Sequence, residues 1–272
     1  MSIQIIDGQI EGRSATVPIR DYIPADSKPL KTLLWVHGGG FSSGGRDQSE
    51  SHEPAKRWAE NGIHVRTLDY RLVPRGNPFK DPDLTQHPNR YPAALHDVVD
   101  VAEALAIQVD SPISIGGASA GANLAAAATL VLRDLGKTPE AAFLAYGTFH
   151  AVLPENETVE SELRGFLTKW AFNPQMFYRM NVNYVGSDEA LKPGLAFPGG
   201  ADLFGFPRSL VVNSSNDRLR KSGIRFAQEL REHGVEVSEH TLEGSHAFLN
   251  KPKSESFKLG VAMASEWILR ND

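Results

Sequence analysis

One serine of the sequence lies between glycines in a pattern that suits a nucleophile. Residues 117–121 read Gly-Ala-Ser-Ala-Gly, with Ser119 at the centre. The apolar run Ile113–Ile115 before the motif is typical of a strand, and the Ala/Leu-rich stretch Ala120–Leu135 after it is typical of a helix, which Gly136 would end. A serine on such a sharp turn has a strained backbone and a hydroxyl that stands clear at the positive end of the helix. The pattern therefore predicts Ser119 as the nucleophile of a covalent mechanism.

A run of glycines occurs earlier in the chain, directly after the apolar segment Leu33–Val36. It reads His37-Gly38-Gly39-Gly40-Phe41. Consecutive glycines can turn several backbone N–H groups toward one point, as an oxyanion hole requires. A flexible turn and a phosphate-binding loop are the alternatives, but the spacing matches neither the P-loop nor the dinucleotide-binding pattern. We therefore expect Gly38, Gly39 and Gly40 to supply N–H donors, and His37 to brace the loop.

A serine nucleophile needs a base and an acid, and both candidates follow it in the chain. Asp217 comes shortly after the apolar run Ser209–Val212, and His246 follows the run Val235–Leu242. Asp217 could instead cap the helix that follows it, which is a common role for Asp. The eight other histidines lie within predicted elements, in polar surroundings, or at the wrong place in the order. The order of residues thus predicts His246 as base and Asp217 as the acid that orients it.

Apolar runs and helical stretches alternate along most of the chain. Several runs are apolar nearly throughout, as in parallel strands that are covered on both faces. The predicted strands are Leu33–Val36, Ile63–Leu68, Pro112–Ile115, Ala141–Ala145, Ser209–Val212 and Val235–Leu242. The predicted helices are Glu53–Glu60, Ala93–Leu105, Ala120–Leu135, Leu219–His233 and Ser254–Leu269. This alternation predicts an α/β fold with a doubly wound sheet, and Ile3–Ile10 with Ala15–Tyr22 as an antiparallel pair at one edge.

One segment, at about 150–206, breaks the alternation and is too long for a plain connection between strands. It contains two helix-like stretches, Thr158–Ala171 and Pro174–Val185, and many aromatic residues. These helices could pack on the core, or they could form a cap over a substrate pocket. The candidate pocket residues are Phe41, Phe166, Trp170 and Phe177.

The composition is that of one globular α/β domain spanning residues 1–272. The net charge is −5, with 28 basic and 33 acidic residues well mixed, so no basic face for nucleic acid is expected. There is no cysteine, which excludes disulfides and thiolate chemistry. No signal peptide and no membrane-spanning run are recognisable. We therefore expect a cytoplasmic enzyme without metal or cofactor, and a homodimer is the candidate oligomer.

Six ordered motifs make the chain resemble the hormone-sensitive-lipase-like branch of the α/β-hydrolases, which includes bacterial carboxylesterases and acetylesterases. They are HGGGF (37–41), DYRLVP (69–74), YPAALHDV (91–98), GASAG (117–121), DRLR (217–220) and GSHAF (244–248). The resemblance implies a mostly parallel eight-stranded sheet flanked by helices, with a small helical cap. It also implies that the N–H of Ala120 joins the oxyanion hole. Ala118 stands where the family usually has Asp.

The expected activity is hydrolysis of carboxylic esters with short to medium acyl chains through an acyl-enzyme. An amidase, or a deacetylase acting on carbohydrates or small metabolites, is an alternative on the same scaffold, because the fold does not decide the substrate. A non-catalytic ligand-binding relative is a further alternative, which the presence of His246 disfavours. The expected partner is a small-molecule ester.

Overall fold

A computed structural model of the protein describes residues 2–77, 79–110 and 112–270, so both ends of the predicted 1–272 domain lie outside the described residues. Within these ranges the strands are β1 (Ile3–Glu11), β2 (Thr16–Pro24), β3 (Lys31–Val36), β4 (Ile63–Leu68), β5 (Ile113–Ala118), β6 (Ala141–Ala145), β7 (Arg208–Asn216) and β8 (Val237–Ser245). The α-helices are α1 (Ser49–Glu60), α2 (Ala93–Gln108), α3 (Ala120–Asp134), α4 (Glu157–Glu162), α5 (Phe166–Trp170), α6 (Pro174–Val185), α7 (Arg220–Glu232) and α8 (Glu255–Leu269).

All eight strands join one sheet, in the order β1-β2-β4-β3-β5-β6-β7-β8. The first two pairings, β1 with β2 and β2 with β4, are antiparallel, and every other pairing is parallel. Parallel neighbours need a crossover, and helices provide it between β3 and β4, before β5, and between the later strands. The predicted α/β fold, with its mostly parallel eight-stranded sheet and antiparallel edge pair, is confirmed.

The central strands separate two hydrophobic cores, one on each face of the sheet. Alternate residues of β3 point to opposite faces, so Leu34 packs toward α2, α3 and α7 whereas Trp35 packs toward α1 and α8. Trp35 stacks on Phe143 with ring centroids 5.4 Å apart, and it meets the edge of Trp58 at 4.9 Å. This aromatic cluster fixes the sheet face opposite α3, the helix that follows the predicted nucleophile.

Helix α1 begins at Ser49, earlier than the predicted start at Glu53. Proline has no N–H, so inside a helix it cannot donate the usual hydrogen bond to the carbonyl four residues before it. For Pro54 the carbonyl left without this bond is that of Glu50. The indole N–H of Trp35 donates to the Glu50 carbonyl oxygen at 2.8 Å. A tertiary hydrogen bond thus replaces the missing helical one, and the helix extends past its proline.

The segment between β6 and β7 contains α4, α5 and α6. The prediction of one helix over Thr158–Ala171 was wrong, because Gly165 has a left-handed φ of +83° and separates α4 from α5. Helix α4 is held against the start of α7, where the Arg218 guanidinium pairs with Glu160 at 2.6 Å. This pairing lowers the pKa of Glu160 to about 2, so the contact persists over the neutral range.

Helices in the described ranges are all too short or too polar to span a bilayer.

We predict that the Trp35–Trp58–Phe143 cluster contributes strongly to stability. The substitution Phe143→Ala should lower the free energy of unfolding by about 3–5 kcal/mol, because it leaves a cavity in a closely packed core. The same substitution at Phe204, which is 75% exposed, should change it by less than about 0.5 kcal/mol. Urea unfolding of both variants checks this, and equal losses would contradict it.

Candidate active site

Ser119 occupies the turn between β5 and α3, as its motif predicted. Its backbone has φ of 53° and ψ of −120°, a conformation that is strained for a residue with a side chain. The turn is held by the Ser119 N–H, which donates to the carbonyl of Ala145 at 2.9 Å. The hydroxyl therefore stands at the N-terminus of α3, where the helix dipole favours negative charge.

Close packing explains the second glycine of the motif. A Cβ atom added at Gly121 would lie 2.2 Å from the carbonyl oxygen of Val36 and 2.3 Å from that of His37. Any larger residue would push α3 away from the end of β3, where the glycine loop begins. Gly121 therefore sets the distance between the nucleophile turn and the glycine loop.

The structure brings the three predicted residues Ser119, His246 and Asp217 into one line. The His246 Nε2 atom lies 3.1 Å from Ser119 Oγ, and its Nδ1 atom lies 2.6 Å from Asp217 Oδ2. Asp217 is 2% exposed, and its other oxygen accepts the N–H of Leu219 at 3.0 Å. An ionised carboxylate only accepts hydrogen bonds, so Nδ1 carries the proton and Nε2 can accept the one from Ser119. Asp217 thus orients the imidazole and also bonds the backbone at the start of α7.

The surroundings of His246 favour its protonated form. Burial alone would lower the pKa of this imidazole, but the charge and hydrogen bond of Asp217, helped by the charge of Glu50, raise it above the ordinary 6.5. The rings of Tyr146 and Phe172 contact the imidazole edge-on, with centroids 5.1 and 4.9 Å away. These contacts restrict the ring to the plane that joins Ser119 and Asp217.

The glycine loop supplies fewer free donors than the sequence suggested. The N–H of Gly38 donates to a carboxylate oxygen of Glu50 at 2.7 Å, so the prediction of Gly38 as an oxyanion donor was wrong. The N–H groups of Gly39, Gly40 and Ala120 have no acceptor within the described part of the chain. Gly39 has φ of +123°, which only glycine adopts readily, and its carbonyl accepts the N–H groups of Ser42 and Ser43 in a tight turn.

A cavity of about 180 Å³ lies beside this loop, with Gly40 in its lining. Its apolar lining residues include Phe172 and, from α6, Met176 and Met180. The other lining residues are mostly polar: Lys80, Ser42, Gly76, Asn77, Pro82, Arg179 and Asn183. Because Phe172 also contacts the His246 ring, the cavity offers an apolar surface near the candidate base together with polar side chains.

The four predicted pocket residues, Phe41, Phe166, Trp170 and Phe177, are not among the residues that line this cavity. Phe41 is fully buried and stacks on Tyr184 with ring centroids 3.9 Å apart. Phe177, which belongs to α6, is also buried. Phe166 is 81% exposed and Trp170 is 37% exposed, with the Trp170 ring centroid 5.6 Å from that of Phe79. The aromatic composition indicated a segment that does contribute to the cavity, through Phe172 and α6. Which side chains of that segment line the cavity depends on the orientation of each helix.

Sequence reasoning missed Glu50, Tyr146 and Phe172. Glu50 is an acidic residue of a helical first turn, which on sequence grounds is typical of a solvated charge, yet it is 2% exposed. Tyr146 follows β6 and has a positive φ of 38°. No motif marks Glu50, Tyr146 or Phe172 as a site residue. Only the tertiary structure places all three near His246.

A second serine, Ser222, also contacts a histidine. Its Oγ lies 2.8 Å from His150 Nδ1, and His150 Nε2 lies 3.3 Å from Glu229. However, Ser222 is completely buried, and its oxygen also accepts the N–H of Phe149 at 2.8 Å. This group of residues joins α7 to the end of β6 and has no access for a substrate.

The fold and the glycine-lined serine site define the class of protein. A family model described as the alpha/beta hydrolase fold matches residues 33–250, and the chain belongs to this family. Carboxylesterase NlhH of Mycobacterium tuberculosis is 30% identical over 263 residues, covering 92% of this chain and 75% of the relative. An arylesterase of Saccharolobus solfataricus is 27% identical, covering 91% of this chain and 78% of the relative.

Solved structures agree with this assignment. The hyperthermophilic esterase from the archaeon Pyrobaculum calidifontis superposes with a TM-score of 0.84 at 27% identity, covering 98% of this chain and 83% of the other. The resemblance to the hormone-sensitive-lipase-like branch, inferred from the six motifs, is confirmed by these relatives.

We predict that His246 titrates above 6.5 and that Asp217→Asn lowers its pKa, because burial then acts without the opposing carboxylate. NMR titration of the imidazole C–H signals measures both values. The exposed carboxylate of Asp202 provides a control, since Asp202→Asn should leave the pKa of His246 unchanged. A wild-type value at or below 6.5 would contradict the predicted coupling.

Proposed function

We propose that the protein is a serine carboxylic ester hydrolase in which Ser119, His246 and Asp217 form the catalytic triad. The observation that carries this proposal is the continuous line of hydrogen bonds from the Ser119 hydroxyl to the buried Asp217 carboxylate. This line lies beside the N–H groups of Gly39, Gly40 and Ala120, which bond no acceptor among the described residues and are available to an oxyanion, as a Ser–His–Asp mechanism requires. The esterase names of the relatives support the same reaction class.

In the first half of the proposed reaction, Ser119 Oγ attacks the carbonyl carbon of the ester while its proton passes to His246 Nε2. The carbonyl oxygen becomes an oxyanion, which the N–H groups of Gly39, Gly40 and Ala120 stabilise. Asp217 stabilises the imidazolium that has formed. The C–O bond to the alcohol then breaks, and the leaving alcohol takes the proton from His246.

In the second half, water replaces the alcohol. The water oxygen attacks the acyl carbon bound to Ser119 while His246 removes a proton from the water. Collapse of this intermediate breaks the bond to Ser119 Oγ, which regains a proton from His246. The products are one carboxylic acid and one alcohol, and the enzyme returns to its starting state.

The substrate class follows from the cavity beside Gly40. Its apolar wall of Met176, Met180 and Phe172 suits a short to medium acyl chain. Helix α6 and Phe172 before it bring this wall to the site, and we therefore propose that the segment at about 150–206 acts as a cap. An anilide substrate tested beside the matching ester distinguishes amide from ester preference. A cytoplasmic location and a homodimer stay predictions from the sequence.

We predict that Ser119→Ala lowers ester hydrolysis by at least about a thousandfold and abolishes labelling by a fluorophosphonate, because the nucleophile is lost. Ser222→Ala is the matched control, since this serine also contacts a histidine but is completely buried. That variant should keep its turnover and its labelling. Full turnover after Ser119→Ala would exclude the proposed mechanism.

We also predict that filling the cavity shortens the preferred acyl chain. Met180 lies beside the oxyanion loop, because a Cβ at Gly40 would be 3.3 Å from its sulfur. Met180→Phe should lower kcat/KM for a hexanoyl ester relative to an acetyl ester by about tenfold. Met263→Phe, on α8, makes the same change away from this cavity and should leave the ratio unaltered. Equal ratios in wild type and Met180→Phe would place the acyl chain elsewhere.

A further inference from the structure

A buried carboxylate, Glu50, lies behind the glycine loop. It accepts the N–H of Gly38 at 2.7 Å and a side-chain N–H of Gln48 on one oxygen. On the other oxygen it accepts the Tyr146 hydroxyl at 3.0 Å and the side-chain amide of Asn250 at 3.1 Å. Each of these four groups donates, so the environment fits an ionised carboxylate, which can only accept.

The four donors come from different parts of the site. Gly38 belongs to the glycine loop, Tyr146 follows β6, and Asn250 lies in the turn after His246. The backbone N–H of Glu50 also donates to the Asn250 side-chain oxygen at 3.0 Å. One carboxylate thus connects the loop that carries the proposed oxyanion donors to the turn that carries the proposed base.

Little space is left for this arrangement to shift. A Cβ at Gly38 would lie 2.5 Å from the Glu50 carboxylate, 2.9 Å from the Ala118 carbonyl and 3.1 Å from Ser119 Cβ. Gly38 is therefore enclosed between Glu50 and the nucleophile turn. A change in the Glu50 side chain would move Gly38, and with it the adjacent N–H groups of Gly39 and Gly40.

We propose that Glu50 is a positioning residue with two effects. Through Gly38 it sets the direction of the oxyanion donors, and its negative charge, bound to the Tyr146 hydroxyl whose ring contacts the imidazole, acts on His246. This inference rests on the proposed function, because it assigns Glu50 to the same site.

Among the described residues, few ionisable groups face His246 or Glu50, which makes the effect of the Glu50 charge on His246 measurable. His246 is influenced by Asp217 and Glu50, and the Tyr146 ring lies against it. Glu50 is influenced by His246 and by the hydroxyls of Tyr146 and Tyr70. Burial raises the pKa of Glu50, and the hydrogen bonds from Gly38 and Tyr146 oppose this. Among the described residues, Asp217 and Glu50 are thus the two carboxylates that act on the imidazole.

The substitution Glu50→Gln tests both effects, because it keeps the side-chain volume and removes the charge. We expect kcat to fall by about 10- to 100-fold from misdirected donors, with a change in KM of less than about threefold. Loss of a negative charge lowers the pKa of His246, so the acid limb of kcat/KM should move to lower pH by roughly half a pH unit or more. An unchanged kcat with an unchanged acid limb would overturn the proposal.

Glu50→Asp separates the two effects, since it keeps the charge but shortens the side chain. Its kcat should fall while the acid limb stays at the wild-type pH. If Glu50→Gln does not fold, as judged by circular dichroism, Glu50→Asp decides, and a wild-type kcat in that variant overturns the proposal. Glu229→Gln is the matched control, because Glu229 is also buried but pairs with His150 and Arg225. It should leave the acid limb unchanged.

The wild-type protein and Ser119→Ala are measured in the same series. Absence of ester hydrolysis in the wild type would refute the proposed function itself. Wild-type hydrolysis that Ser119→Ala abolishes and Glu50→Gln leaves unaltered would refute only the role of Glu50. The two failures are therefore distinguishable.

Discussion

The candidate active site forms because β3, β5, β7 and β8 run in the same direction in one sheet. The carboxyl ends of parallel strands lie at one edge, and the loops that follow them meet there. The glycine loop follows β3, Ser119 follows β5, Asp217 follows β7 and His246 follows β8. Reversal of any one of these strands would carry its residue to the opposite edge. The mostly parallel pairing is therefore the constraint on which the rest of the site depends.

Buried charge gives this edge of the sheet its chemical character. Asp217 and Glu50 are both 2% exposed, and both act on the imidazole of His246. Charges in such surroundings are less screened than on the surface, so they stabilise an imidazolium effectively. Their own burial is offset by hydrogen bonds, from Leu219 to Asp217 and from Gly38 to Glu50. The strained backbone of Ser119 is held by the hydrogen bond from its N–H to the Ala145 carbonyl and by the close packing of Gly121 against the end of β3.

Much of the fold could be predicted because its signals are local. The strands Ile63–Leu68 and Ala141–Ala145 and the helix Pro174–Val185 have the predicted bounds, since apolar runs, proline and capping residues mark them. The predictions failed where distant residues decide the outcome. Trp35 allows α1 to extend past Pro54, and Gly165 divides a stretch whose composition suits one helix.

The sequence by itself determined which residues could form the site. The glycine patterns around Ser119 and after His37, and the order in which Asp217 and His246 follow, depend only on local turn geometry and on chain order. Only the tertiary structure decided how the surroundings of these residues are used. It assigned the Gly38 N–H to Glu50, placed Phe41 in the core, and formed the cavity from Phe172 and the methionines of α6. Those outcomes depend on which side chains meet across separate elements, and residue spacing carries no information about such contacts.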